Sequence, residues 1–215
     1  MGENSIDWNE VEAAAIKAKN LSELFALWKV AHSIEKDYKN TFPRKKTENG
    51  KLDFPGETFK DSFCWDGYVT GNDVNRKIVA LYVFRESNVA DEMPNGEKND
   101  TFWLKENIAG TKDDAKVYLG WIKEKYENYR NSISYNKKFS FDKIAVMNLN
   151  KRGGYGTVDN ASLKNYVIKY QHFLKRQIEI IDPEIIICGG THKHVYKNIL
   201  KCKEIFDCKH PTAWR

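Results

Sequence analysis

With 215 residues, 41% of them apolar and 13% aromatic, the chain is long enough to bury a core and too hydrophobic to be a disordered segment. No apolar run reaches the roughly 18 residues of a transmembrane helix, and the first residues, Met1-Gly2-Glu3-Asn4, lack the layout of a signal peptide. The net charge of +5, from 35 basic and 30 acidic residues, permits a polyanionic partner and equally fits an ordinary solvated surface. The four cysteines, Cys64, Cys188, Cys202 and Cys208, form no CxxC pair, which argues against a cysteine-built zinc site or iron–sulfur cluster and suggests reduced thiols in a cytoplasmic protein.

Two helices are expected first. Asp7 to Lys19 places Val11, Ala14, Ala15 and Ala18 on one face, and a second helix, capped by Asn20 or Ser22, carries Leu24, Phe25, Leu27, Trp28 and Ala31 as its apolar stripe. They carry no evident chemistry and are expected to cover a face or edge of a sheet. Residues 41–70 read as loop, broken by Pro43, Gly50 and Pro55-Gly56, with a short extended piece near Asp66-Gly67. Lys77 to Phe84 is a near-continuous apolar run, the signature of a buried parallel strand. It ends in Arg85-Glu86-Ser87-Asn88. A polar stretch, 89–112, holds Phe102-Trp103 and precedes a helix over about Asp113 to Arg130. A second strand, Lys143 to Leu149, ends in Asn150-Lys151-Arg152-Gly153-Gly154. One helix is expected from Asn160 to Ile181, stopped by Pro183. A third strand, Glu184 to Cys188, ends in Gly189-Gly190, and Thr191 is placed to cap the helix after it. A fourth strand, about Lys203 to Cys208, leads to His210-Pro211-Thr212-Ala213-Trp214-Arg215.

Strands alternating with helices predict an α/β fold: a three-layer α/β/α sandwich around a central four-stranded parallel sheet, behind two extra N-terminal helices. One domain spans 1–215, with the helices in 1–40 and the strand-bearing core in 77–215. In such a sheet the strand carboxyl ends share one edge, where chemistry sits. That edge would display Glu86, Ser87 and Asn88, Asn148 to Lys151, Gly189, and His210. No GxxxxGK[ST] loop, spaced-glycine dinucleotide fingerprint, GxSxG elbow or HExxH pattern occurs, so the common phosphate-loop, dinucleotide, serine-hydrolase and zinc-protease classes are not indicated.

The set of strand ends resembles the uracil-DNA glycosylase superfamily. Glu86 matches the glutamate of a first motif that reads Gly-Glu-Ala-Pro-Gly in one branch. Asn148 in Val146-Met147-Asn148-Leu149 is similar to a strand-end asparagine that binds the base. Gln177 to Gly190, with Asp182-Pro183 before the strand and two glycines after it, is similar to the family's pre-strand helix and glycine-ended third strand. His210-Pro211-Thr212 followed by Arg215 resembles the final His-Pro-Ser and arginine. The resemblance covers about Ile78 to Arg215. It departs at Arg85 and Ser87, which stand where a glycine and a small residue before proline occur in the family, and no cluster-binding cysteines accompany the glutamate.

The resemblance implies a DNA glycosylase without cofactor, metal cluster or membrane attachment, acting as a monomer on single- or double-stranded DNA. Glu86, His210 and Asn148 would be catalytic: Glu86 would hold or deprotonate water, His210 would donate to the departing base, and Asn148 would bind the base edge, with Asn150 as its rival. Ser87, Asn88 and Gly189 would line the substrate. Phe102, Trp103 and Trp65 are candidates to stack on a flipped base, Trp65 being equally a core aromatic. Lys151, Arg152 and Arg215 would meet phosphates, or the first two would be a solvated face. Two alternatives remain: a DNA-binding or sensing module with altered chemistry, and an enzyme acting on free nucleosides or nucleotides.

Overall fold

A computed structural model describes residues 6–42, 44–53, 63–69, 77–88, 113–132, 140–154, 159–200 and 204–210. Among them the helices are α1 (Trp8–Lys17), α2 (Leu21–Ile34), α3 (Asp113–Ser132), α4 (Asn160–Lys169), α5 (Gln171–Ile181) and α6 (His192–Asn198). The strands are β1 (Lys45–Lys46), β2 (Leu52–Asp53), β3 (Gly67–Tyr68), β4 (Ala80–Asn88), β5 (Ile144–Gly154), β6 (Ile185–Gly189) and β7 (Glu204–Cys208). β1 and β2 form a small antiparallel ribbon.

The main sheet is mixed but mostly parallel, with five strands in the order β3-β5-β4-β6-β7. The expected four strands are β4 to β7, all parallel. The fifth is the short β3, antiparallel to β5 through Gly67↔Val146 and Tyr68↔Ala145; it falls at the short extended piece expected near Asp66-Gly67, whose two residues are too few to mark it as a strand of the sheet.

Both faces of the sheet are apolar, as expected for strands buried on two sides. Leu81, Val83, Ala145, Met147, Leu149, Ile186 and Cys188 face a core built with α1, α2, α4, α5 and α6. Ala80, Tyr82, Phe84, Ile144, Val146, Ile185 and Ile187 face a smaller cluster with Ile122 and Tyr126 of α3. The connection after β4 therefore runs over one face and the connection after β5 over the other. With β5 and β6 flanking β4, this puts a crevice at the carboxyl ends of β4 and β6, the switch point where open α/β sheets bind ligands.

Three local features differ from expectation. The 160–181 helix is two helices that break at Tyr170. No proline or glycine marks the break. It falls where Tyr170 stacks on Tyr166 at 4.4 Å and its hydroxyl donates to Glu35 Oε2 at 2.6 Å. β4 continues through Arg85-Glu86-Ser87-Asn88 and β5 through Gly154, with Glu86 paired to Asn150 and, after a register shift, Asn88 to Gly154, so residues expected in loops belong to the ladder. Thr191 makes no side-chain cap to α6; its hydroxyl donates to the Val83 carbonyl at 2.8 Å, tying the turn after β6 to β4. The α2 cap is as expected at Asn20, whose side chain accepts from the Glu23 N–H at 2.9 Å, while the Glu23 carboxylate accepts from the Lys19 N–H just before the cap.

Candidate functional site

β4 pairs with β6 only as far as Val83↔Cys188, whereas it pairs with β5 through Asn88. Beyond Val83 one flank of β4 is open, and Arg85 and Glu86 stand on that projecting end. Strand alternation sends Glu86 to the face of Phe84 and Tyr82, and Arg85 to the face of Val83.

The Glu86 carboxyl is shielded from solvent. Oε2 accepts from Asn150 Nδ2 at 3.2 Å, and Oε1 has no hydrogen-bond partner among the described residues. Gly154 makes room for it: a Cβ there would lie 2.5 Å from Oε1. Burial pushes its pKa up to about 8, against the Asn150 hydrogen bond and the nearby Arg85 charge. The group therefore holds its proton at neutral pH.

Asn150 is committed at both ends, since its Oδ1 accepts from the Arg152 N–H at 3.0 Å. It is fully buried and orients Glu86, which favours a positioning role over the expected substrate-binding one. Asn148 is 1% exposed, paired in register with Phe84, and its backbone N–H donates to Asp66 Oδ2 at 2.6 Å.

His210 is positioned from two sides. Its ring meets the edge of Phe84, two residues before Glu86 on the same face, at 5.5 Å. The Gly190 N–H donates to the Cys208 carbonyl at 2.7 Å, which anchors the chain just before His210. Burial, reinforced by the Arg85 charge, pulls the His210 pKa down to about 4, so the imidazole is neutral. Gly189 is a packing glycine, not open backbone for a ligand: a Cβ there would lie 2.9 Å from the Phe84 ring.

Lys151 and Arg152 are not phosphate contacts. Both are fully buried. Lys151 Nζ binds Asp66 at 2.7 and 2.5 Å over the rings of Phe25 and Trp28. Arg152 pairs with Glu35 and donates to Thr41 Oγ1 at 2.7 Å. Their acidic partners lie 85 and 117 residues away in sequence, which is why a basic pair beside two glycines reads locally as a solvated face. Trp65 is a core aromatic: it meets Phe25 and Phe63 edge-on at 5.3 and 5.5 Å next to β3, two strands from the crevice. The backbone of Ser87 and Asn88 lies in β4; their side chains, and all of Phe102, Trp103 and Arg215, lie outside the described residues.

Arg85, Gly154 and His194 are not among the site residues expected from the sequence, where Arg85 enters only as a departure from the first motif. The Gly153-Gly154 pair was visible, but its use as space for a carboxyl depends on strand register. No helix of the described residues is long and apolar enough to cross a membrane. No protein-family model matches the chain, and no curated protein is detectably similar to it.

Proposed function

We propose that the chain is a DNA glycosylase-like protein that extrudes a damaged or modified base and hydrolyses its N-glycosidic bond. With this go a three-layer α/β/α domain and a cytoplasmic monomer that uses no cofactor. The observation that carries it is the pairing of two environments on one strand face: a shielded carboxyl, Glu86, held by Asn150, and a neutral imidazole, His210, against Phe84.

The chemistry fits those groups. As the bond from C1′ to the base nitrogen breaks, its electron pair goes to the base and positive charge spreads over the sugar. A neutral His210 donates a hydrogen bond to the base as negative charge develops there. Ionised Glu86 stabilises the sugar cation and takes a proton from the water that adds to C1′. Asn150 fixes the carboxyl, and Asn148 lies in register beside Phe84 within reach of the same strand end.

One observation favours the second possibility, a DNA-binding module with altered chemistry. Glu86 is protonated at neutral pH, which weakens it as a base until a ligand or higher pH ionises it. A single screen separates the two. Oligonucleotides carrying uracil, hypoxanthine, xanthine or modified pyrimidines, single- and double-stranded, are incubated with the protein and treated with alkali. Strand scission that is lost in His210→Ala and Glu86→Gln is expected for the enzyme. DNA retention without scission on any substrate assigns the module, and no DNA retention at low salt rejects both in favour of a free-nucleoside enzyme.

A further inference from the structure

Arg85 and His194 touch neither the base nor the water in the chemistry just described, yet each carries a buried nitrogen with no hydrogen-bond partner among the described residues. Arg85 projects from β4 on the face opposite Glu86. Its Nε is buried and has no hydrogen-bond partner among the described residues. The guanidinium lies along the bare backbone of Gly190, which has φ +68°; a Cβ there would be 3.3 Å from Arg85 Nη2 and 3.8 Å from the His210 Cβ. Any side chain at position 190 would therefore press on the guanidinium while only touching the histidine.

His194 comes to the same place from α6. It is 4% exposed, its N–H is anchored to the Thr191 carbonyl at 2.9 Å, and its Nε2 is buried with no partner among the described residues. The charged groups acting on its ring are all cations: Lys193, Arg85 and Lys164. Nearby carboxyls do not offset them. Glu86 is on the other face of the strand and holds its proton, and Asp159 caps α4 through the Ala161 and Ser162 N–H groups.

A buried donor left without an acceptor is costly to the fold. Two such donors, set in a cationic pocket at the crevice between β4 and β6, are complementary to an anion. We infer that Arg85 and His194 form a phosphate-binding subsite, which holds the phosphate of a nucleotide while its sugar and base face Glu86 and His210. The guanidinium supplies a planar donor edge suited to phosphate oxygens, and the neutral imidazole donates from Nε2–H. The assignment of sugar and base rests on the glycosylase-like function; the phosphate subsite itself does not. The phosphate is either a diester of DNA or the monoester of a free nucleotide.

The test is a titration of the isotope-labelled full chain with inorganic phosphate, following the Arg85 Nε–H and His194 ring resonances by NMR. Saturable movement of both is expected, with binding weakened at least about tenfold in Arg85→Ala and in His194→Gln. Arg85→Lys, which keeps the charge but loses the planar edge, is expected to fall between the parent and Arg85→Ala. Thymidine, thymidine 5′-monophosphate and a short single-stranded oligonucleotide then separate the sources. Preference for the mononucleotide over the nucleoside assigns a monoester, and Arg85-dependent binding of the oligonucleotide assigns a diester. Resonances that stay put, or that move equally in Arg85→Ala, overturn the subsite. That result together with intact base release would reject the subsite alone, whereas phosphate binding without base release would reject only the glycosylase chemistry.

Discussion

Glu86 shows how one residue can be costly to the fold and useful at the site. Its carboxyl has an ordinary pKa near 4.5 and about 8 in the folded chain. The folded state therefore binds the proton more tightly than the unfolded state. The stability this gives is complete below pH 4.5 and is lost as pH rises through 8. Glu86→Gln keeps the shape and the acceptor for Asn150 but has nothing to ionise. The variant is expected to gain on the parent steadily from pH 4.5 to 8, by on the order of 5 kcal/mol above that range, measured as urea midpoints across pH. Equal pH slopes for the two proteins would show that the carboxyl is not desolvated. If Glu86 works as a carboxylate, base release has the opposite trend: it rises with pH and levels off above about 8, while the glutamine variant loses roughly 10²–10⁴-fold. A side chain that destabilises the protein where it is most active is the pattern of a functional residue.

At the scale of elements, the strand cores were legible and their ends were not. Ile78 to Phe84 and Ile185 to Cys188 announce themselves by unbroken apolar character. Asn150, Lys151 and Arg152 read as the end of a strand because local polarity is the cue for a loop. They stay in the ladder because acids from distant segments meet them inside: Asp66 from beside β3 and Glu35 from the end of α2. The same distance explains why the N-terminal helices, expected only to cover the sheet, also supply a charge to its interior. Asp66 is the hub, since it accepts from Lys151, from the Asn148 N–H and from Gln177 Nε2 at 2.7 Å. Asp66→Asn leaves the Lys151 ammonium buried without its counter-charge and is expected to cost about 3–5 kcal/mol. Adding Lys151→Met should restore most of that loss, because the double variant buries no charge at this position. Urea denaturation of the single and double variants measures both. A double variant no more stable than Asp66→Asn alone would mean that the hydrogen bonds of Asp66, and not its charge, hold β5 to β3.

For the whole molecule, the net charge of +5 says little until the cations are sorted by position. Lys151 and Arg152 are neutralised internally and cannot release counterions from a polyanion. Arg85, at the open end of β4 beside the crevice, can. Each phosphate neutralised on single-stranded DNA contributes about 0.7 to the slope of log affinity against log salt. Arg85→Ala is therefore expected to reduce that slope by roughly one such contact as well as weakening binding. Lys123→Ala, on the exposed side of α3 in a surface pair with Glu127, is expected to leave the slope unchanged. Anisotropy of a labelled single-stranded oligonucleotide over a salt series gives both values. An unchanged slope in Arg85→Ala would mean that DNA crosses the molecule elsewhere and that the crevice takes a free nucleotide. A reduced slope would put the backbone of the bound strand over the β4–β6 crevice. The extruded nucleotide would then enter beside Phe84, between a cation that grips its phosphate on one face of β4 and a carboxyl that waits on the other.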